Sequence, residues 1–204
     1  MKKIYLPLLI ASFFALVIFC GCGGDKGPTI VTAEELISQG WPKFVAGNFS
    51  GASGDFSAAI ALDSSANNYE GLLGLGWAEL RQSHGGLAEK AFLKYLSKVS
   101  VSDDAEAGLA LAYLADAKFE DAIVSANAVL LSNSDWTFSH ASSINHLDLK
   151  LVIVQSYYET ADYSQSLAAI KLYFDSSFNP GDVNTYEGRV ALAEKIQSLN
   201  EGIS

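Results

Sequence analysis

From about Thr32 onward, apolar residues recur at intervals of three and four, the period of a helix with one buried face. Short breaks divide this pattern into runs of helix length. The spacing predicts nine helices, over 32–46, 48–62, 68–83, 86–99, 103–115, 118–131, 144–160, 162–176 and 183–200. The first eight pair as hairpins and the last stands alone. No run alternates in the manner of a strand. Ahead of the helices lies a different pattern: Met1-Lys2-Lys3, then an apolar run from Ile4 to Phe19, then Cys20-Gly21-Cys22-Gly23-Gly24.

The helical part repeats itself. Residues 47–59 (GNFSGASGDFSAA), 117–129 (AKFEDAIVSANAV) and 161–173 (ADYSQSLAAIKLY) each open with a small residue, a polar residue and an aromatic, with another small residue three further on. A repeat unit cannot bury its apolar face alone, so such a chain is built to stack. The small positions early in the second helices are Ala52, Ala88, Ala122 and Ser166, followed at plus four by Phe56, Phe92, Ala126 and Ile170. Trp77, Tyr113 and Tyr157 hold a large aromatic position in the first helices, with Gly74, Ala110 and Val154 three residues before.

These positions resemble the tetratricopeptide repeat, a helix-turn-helix family with a period of about 34 residues. The resemblance covers about residues 33–176, as repeats 33–66, 67–102, 103–136 and 147–180. It implies an all-α, right-handed superhelical solenoid closed by a capping helix over 183–200, together forming one domain over 32–204. From Ala52 the spacing runs 36, 34 and 44 to Ser166. The expected consequences are two extra residues in the second hairpin's turn, at Ser83-His84-Gly85-Gly86, and about ten in a loop over 132–143. Lys43 stands where the first repeat's aromatic is expected, and Pro42 beside it is expected to kink that helix. Ser64 replaces a customary proline. Asp182 or Asn184 is the expected cap of the last helix.

Sixteen apolar residues after a basic start are short for a membrane span, which needs about 20, and suit a secretory signal. An uncleaved anchor helix is the alternative. The segment resembles a bacterial lipoprotein signal, with residues 1–21 removed. Cys22 follows the small Gly21, while Cys20 follows bulky Phe19. Phe19 also stands three before Cys22, where leucine is usual. The resemblance implies acylation of Cys22 by palmitate-type chains, a tether over 22–31, and a lipid-anchored place in the bacterial envelope. Gly23 after that cysteine leans towards the outer membrane and its periplasmic face. A Cys20–Cys22 disulfide is disfavoured by geometry at so short a separation.

Losing Lys2 and Lys3 with the signal leaves 11 of 13 basic residues against 23 acidic ones, a formal net of −12. That surface repels phosphate backbones, so nucleic acid is not an expected partner. Chemistry is sparse. His84 sits in a glycine-rich turn. His140 and His146 are six apart, not at the four-residue spacing of a helical zinc pair. No P-loop occurs, and Gly71-Leu72-Leu73-Gly74-Leu75-Gly76 follows no strand. No metal, no cofactor and no enzymatic activity are expected.

Two candidate surfaces remain. In the repeat family the first helices line a concave groove that binds peptides. Its register implies Ile37, Trp41 and Phe44 from the first repeat, Leu75 and Glu79 from the second, Leu111 and Leu114 from the third, and Gln155, Tyr158 and Glu159 from the fourth. Such apolar and acidic groups suit another envelope protein, or a segment of one, with apolar anchors and Lys or Arg flanks. The second candidate is the long loop, with Trp136, Phe138 and His140. Its aromatics either plug a gap in the stack or capture a small molecule or glycan. The expected role is a scaffold or adaptor, with ligand capture or regulation of an envelope enzyme as alternatives.

Overall fold

Four of the chain's helices end the same way, and that ending sets the repeat. In the computed structural model, which describes residues 31–62 and 69–203, these helices run into the left-handed residues Gly47, Ser83, Ala117 and Ala161, with φ of 79°, 63°, 56° and 61°. Each closes its helix with the same pair of bonds. Gly47 N–H donates to Phe44 and Asn48 N–H to Lys43. Ser83 and His84 repeat this on Leu80 and Glu79, Ala117 and Lys118 on Leu114 and Tyr113, and Ala161 and Asp162 on Tyr158 and Tyr157. This is the Schellman closure, which satisfies the last carbonyls and reverses the chain. Three of the four lack the glycine that such a backbone favours, so tertiary packing holds them there.

The resulting helices are α1 (Ala33–Val45), α2 (Phe49–Leu62), α3 (Tyr69–Leu80), α4 (Gly85–Leu96), α5 (Asp103–Ala115), α6 (Phe119–Ser132), α7 (His146–Glu159), α8 (Tyr163–Tyr173) and α9 (Tyr186–Ile203). Several of their starts are capped by polar side chains, though α4 and α6 have no side-chain cap. Thr32 and Glu35 form a capping box on α1, and Asn145 and Asp148 form one on α7. Ser102 caps α5, and Asp162 caps α8. The cap of α9 is Thr185, whose Oγ1 accepts the Gly188 N–H at 3.1 Å. Asp182 instead ties off the preceding turn by accepting the Asn184 N–H. The helix α1 runs through Pro42 to Val45.

Consecutive helices pack as α1–α2, α3–α4, α5–α6 and α7–α8 hairpins, and each hairpin packs on the next. The first helices also touch their successors, α1 to α3, α3 to α5, α5 to α7 and α7 to α9, whereas α2, α4, α6 and α8 do not touch one another. Among the described residues no helix reaches past its second neighbour. That is a solenoid, closed on its first-helix side and open on its second-helix side.

Large rings and glycines interlock to make the closed side. Phe56 lies between Gly40 and Gly74, where an added Cβ would stand 2.6 and 2.5 Å from its ring. Phe92 lies between Gly76 and Gly108, at 2.5 and 2.3 Å. Both rings are fully buried. Ala52, Ala88, Ala122 and Ser166 are also fully buried at the hairpin crossings. A larger group at Ala122 must force two helices apart, and overpacking of this kind costs about 1–3 kcal/mol. Ala122→Leu is therefore expected to lower the urea midpoint, whereas Leu at exposed Ala128 leaves it unchanged.

The hairpin turns correct one expectation. The left-handed residue precedes Ala52, Ala88, Ala122 and Ser166 by the same five positions. The second turn therefore has no insertion, and the two extra residues lengthen α2, which has 14 residues against 12 in α4. In the helices, Trp77 is then the counterpart of Trp41, Leu111 and Gln155 rather than of Tyr113 and Tyr157. Gly76, not Gly74, corresponds to Gly40, Ala110 and Val154. Ser64, the signal segment 1–21 with Cys20, and Cys22 and the tether as far as residue 30 lie outside the described residues.

The helix α9 packs chiefly on α7 and little on α8, the place of a fifth first helix. It buries Gly188, Leu192 and Ile196. Lys195 Nζ donates to Asp175 Oδ2 at 2.9 Å, and Arg189 stands over the Tyr163 ring. The Ser177 hydroxyl and Lys195 together hold the Asp175 carboxyl down at about 2. A carboxyl depressed on folding stabilises above its unfolded pKa, and that contribution is lost as pH falls through the folded value. Asp175→Asn is thus expected to lower the melting temperature at pH 7, with an effect that shrinks as pH falls from about 4 through about 2, as thermal melts across that range would check.

Candidate functional site

Residues 133–145, between α6 and α7, form a small closed hairpin. Thr137 and Asn145 make an isolated antiparallel bridge. Phe138 N–H donates to Ile144 O at 2.9 Å, Ile144 N–H to Ala141 O at 2.9 Å, and His146 N–H to Trp136 O at 2.7 Å. This pairing turns Trp136 and Phe138 into the stack, where they are 2% and 1% exposed. The Phe138 ring stacks on Trp77 at 4.3 Å and meets the edges of Trp41 and Phe44 at 5.9 and 6.1 Å. Trp136 lies nearly parallel to Trp77 at 6.5 Å.

Two carboxylates pin the loop. Asp104, in the first turn of α5, accepts the Trp136 indole N–H at 2.9 Å and the Ser139 hydroxyl at 2.7 Å. An acid there is also favoured by the helix dipole. Glu70, in the first turn of α3, accepts the Trp41 indole N–H at 2.9 Å and stands 2.9 Å from His140 Nε2. The imidazole of His140 lies flat on the Trp41 ring, 3.5 Å between centroids and 5° between planes. Burying an apolar ring such as that of Phe138 contributes about 1.5–3 kcal/mol. The three loop residues singled out in the sequence thus come together with Trp41 and Phe44, but as a filling of the groove rather than as its open surface.

The register correction moves two other expected groove residues. Leu75 and Glu79 face away from the loop. They line a separate cleft with Ser57 and Ile60 of α2 and Leu87, Lys90, Ala91 and Lys94 of α4. Glu79 accepts from the Ser53 hydroxyl and contacts His84 Nδ1 at 2.7 Å. The concave side of this repeat instead presents Trp77 and Glu70, which sequence reasoning missed. The signal was available, since aligning Ser83 with Gly47, Ala117 and Ala161 puts Trp77 under Trp41.

Ile37 and Leu111 are half-buried against the core. The remaining expected residues do meet. Leu114 from α5 and Gln155, Tyr158 and Glu159 from α7 line one cleft of about 370 Å³, joined by Phe119 and by Ile196 of α9. Tyr158 is braced edge-on by Tyr163 at 5.3 Å. Glu159 is exposed at the rim. This is the stretch of the concave side that the loop does not cover. A further cleft of about 520 Å³ runs between the α1–α2 turn and the loop, with Phe44, Phe49, Ile144 and Arg81 in its wall. Among the described residues, no group of three or more His, Cys, Asp or Glu side chains is placed to hold a metal ion, and no helix is long and apolar enough to cross a membrane.

Stacked hairpins with first helices inside and second helices outside define a helical-repeat protein of the solenoid class. More narrowly, the fold is that of the tetratricopeptide repeat. The chain is similar to the crystal structure of a tetratricopeptide repeat protein from Parabacteroides merdae ATCC 43184, with a TM-score of 0.55 and 19% identity. The match covers 84% of this chain and 63% of that one, so the chain spans under two thirds of its neighbour's length. No protein-family model and no curated protein matches the chain.

Proposed function

We propose that this chain is a lipid-anchored, non-catalytic scaffold of the bacterial envelope, which holds a segment of another envelope protein in the cleft between α5, α7 and α9. A solenoid of this kind offers extended surfaces rather than a reaction site, and it suits protein–protein interaction. One observation carries the placement. Leu114, Gln155, Tyr158 and Glu159, from two successive first helices, open to solvent in one cleft, while the loop covers the other end of the concave side. An apolar wall under an acidic rim favours a segment with an apolar anchor and a Lys or Arg beside it.

The anchor half of the proposal rests on the sequence of residues 1–31. Acylation at Cys22 with two or more chains would make attachment stable, since each buried methylene contributes about 0.8 kcal/mol and a single chain holds only marginally. Ligand capture by Trp136 and Phe138 is less well supported, because both are buried.

The two halves are tested separately. Cells producing the chain with a photo-crosslinking residue at Tyr158 are expected to yield a discrete protein adduct that is lost with Glu159→Arg. Adducts to lipid alone, or none, would contradict the cleft reading. Labelling with an alkyne analogue of palmitate is expected to mark the chain, to fail with Cys22→Ser and to persist with Cys20→Ser. Label retained in Cys22→Ser would contradict the anchor.

A further inference from the structure

The open side of the solenoid carries a second surface of opposite character. Because α2 and α4 do not touch, a cleft of about 370 Å³ opens between them, floored by α3. Its walls are mostly apolar, with Ile60, Leu72, Leu75, Leu87 and Ala91, and the carboxylate in its lining, Glu79, is engaged by the Ser53 hydroxyl and by His84. Leu72 and Ala91 are recessed, at 8% and 5% exposed, while Leu87 stands on the rim at 52%.

The charge on that rim is unusual for this chain. Lys90 and Lys94 line the cleft one helical turn apart, and Lys98 follows at the same interval just past the end of α4. All three are exposed. No carboxylate among the described residues lies within 4.0 Å of any of them. The chain as a whole carries a formal net of −10, and three of its 13 basic residues stand here in one row without an ion-pair partner among the described residues. Elsewhere Lys43, Lys118 and Lys195 are each matched by an acid.

From this juxtaposition we infer that the α2–α4 cleft is a docking site for an acidic amphipathic helix of a partner protein. Acids four apart on an incoming helix repeat every ~6 Å along its axis, the same spacing as the lysines of α4. Leucine-sized side chains between those acids enter the recess over Leu72, Leu75 and Ala91, the helix-in-groove mode of recognition. An anionic bilayer offers the same charge, but the apolar groups here are recessed rather than projecting, and the rest of the acidic surface is repelled by such a bilayer. The site lies on the opposite face of α3 from the loop, and it takes a partner of the opposite charge to the one proposed for the inner cleft. Neither reading depends on the other.

The test uses the full chain in neutral detergent micelles and a labelled helical peptide of about 14 residues, with leucines on one face flanked by glutamates four apart. Its lysine-for-glutamate counterpart serves as control. Fluorescence anisotropy is expected to show binding of the acidic peptide only. Lys90→Glu with Lys94→Glu is expected to weaken it by about tenfold or more, with an unchanged melting temperature because both side chains are exposed. Glu159→Arg leaves it unaltered, which separates this site from the inner cleft. No binding of the acidic peptide, or equal binding to the charge-reversed chain, would overturn the inference. So would amide protection of α4 that appears when the chain is placed in phosphatidylglycerol nanodiscs and not in phosphatidylcholine ones, which would assign the row to the bilayer.

Discussion

Phe138→Ala is expected to destabilise the chain by about 3–5 kcal/mol, the range for deleting a fully buried ring. It is a loop residue, and most loop substitutions cost far less. Its ring, however, is 1% exposed and touches Trp41, Phe44, Trp77 and His140 at once. Removing it leaves a void over three first-helix side chains from two repeats. The companion Trp136→Phe keeps the ring but leaves Asp104 without its indole donor, and is expected to cost less, about 1–2 kcal/mol. Urea denaturation of the full chain would rank the two. Equal and negligible effects would mean that the loop does not fill the groove.

Phe92→Ala is expected to cost a similar amount, about 3–5 kcal/mol, with a diagnostic coupling. The ring occupies the space that Gly76 and Gly108 leave open, and a Cβ at Gly108 would stand 2.3 Å from its Cζ. Gly108→Ala alone must displace the ring and is destabilising. In the Phe92→Ala background the same substitution meets no ring, gains the helix propensity of alanine, and is expected to be neutral or mildly stabilising, by up to about 1 kcal/mol. A double-mutant cycle reads this as a strong non-additive term. Additive effects would show that Phe92 does not bridge α3 and α5.

The stacking architecture was legible in the sequence because it is written in local periods. Helix boundaries fall within a few residues of the hydrophobic pattern, and the small residues at Ala52, Ala88, Ala122 and Ser166 sit at the crossings as the repeat implies. The register of the second repeat was misread for a local reason. Gly85 stands where the other repeats have Phe49, Phe119 and Tyr163, so the turn lost its marker. The sequence then suggests two extra residues in the turn, whereas they lengthen α2 relative to α4. That slip put Leu75 and Glu79 in the groove and left out Trp77.

The loop's role was not legible because nothing local encodes it. Trp136 meets Asp104 across 32 positions, and His140 meets Glu70 and Trp41 across roughly half the described chain. Only the fold brings those partners together. The aromatic content of residues 133–145 announced that the segment mattered, and the two carboxylates that hold it gave no sign in sequence. With the groove's first half filled by the chain itself, the inner cleft at Leu114 and Tyr158 and the outer cleft at Lys90 and Lys94 are the two surfaces proposed for partners.

The most direct check of this arrangement is a double-mutant cycle between Phe138 and Trp77, each changed to leucine, measured by urea denaturation of the full chain. A stacked pair 4.3 Å apart is expected to show a favourable coupling of about 0.5–1.5 kcal/mol. Strict additivity would mean that the two rings do not meet, that residues 133–145 lie outside the groove, and that its N-terminal half stands open.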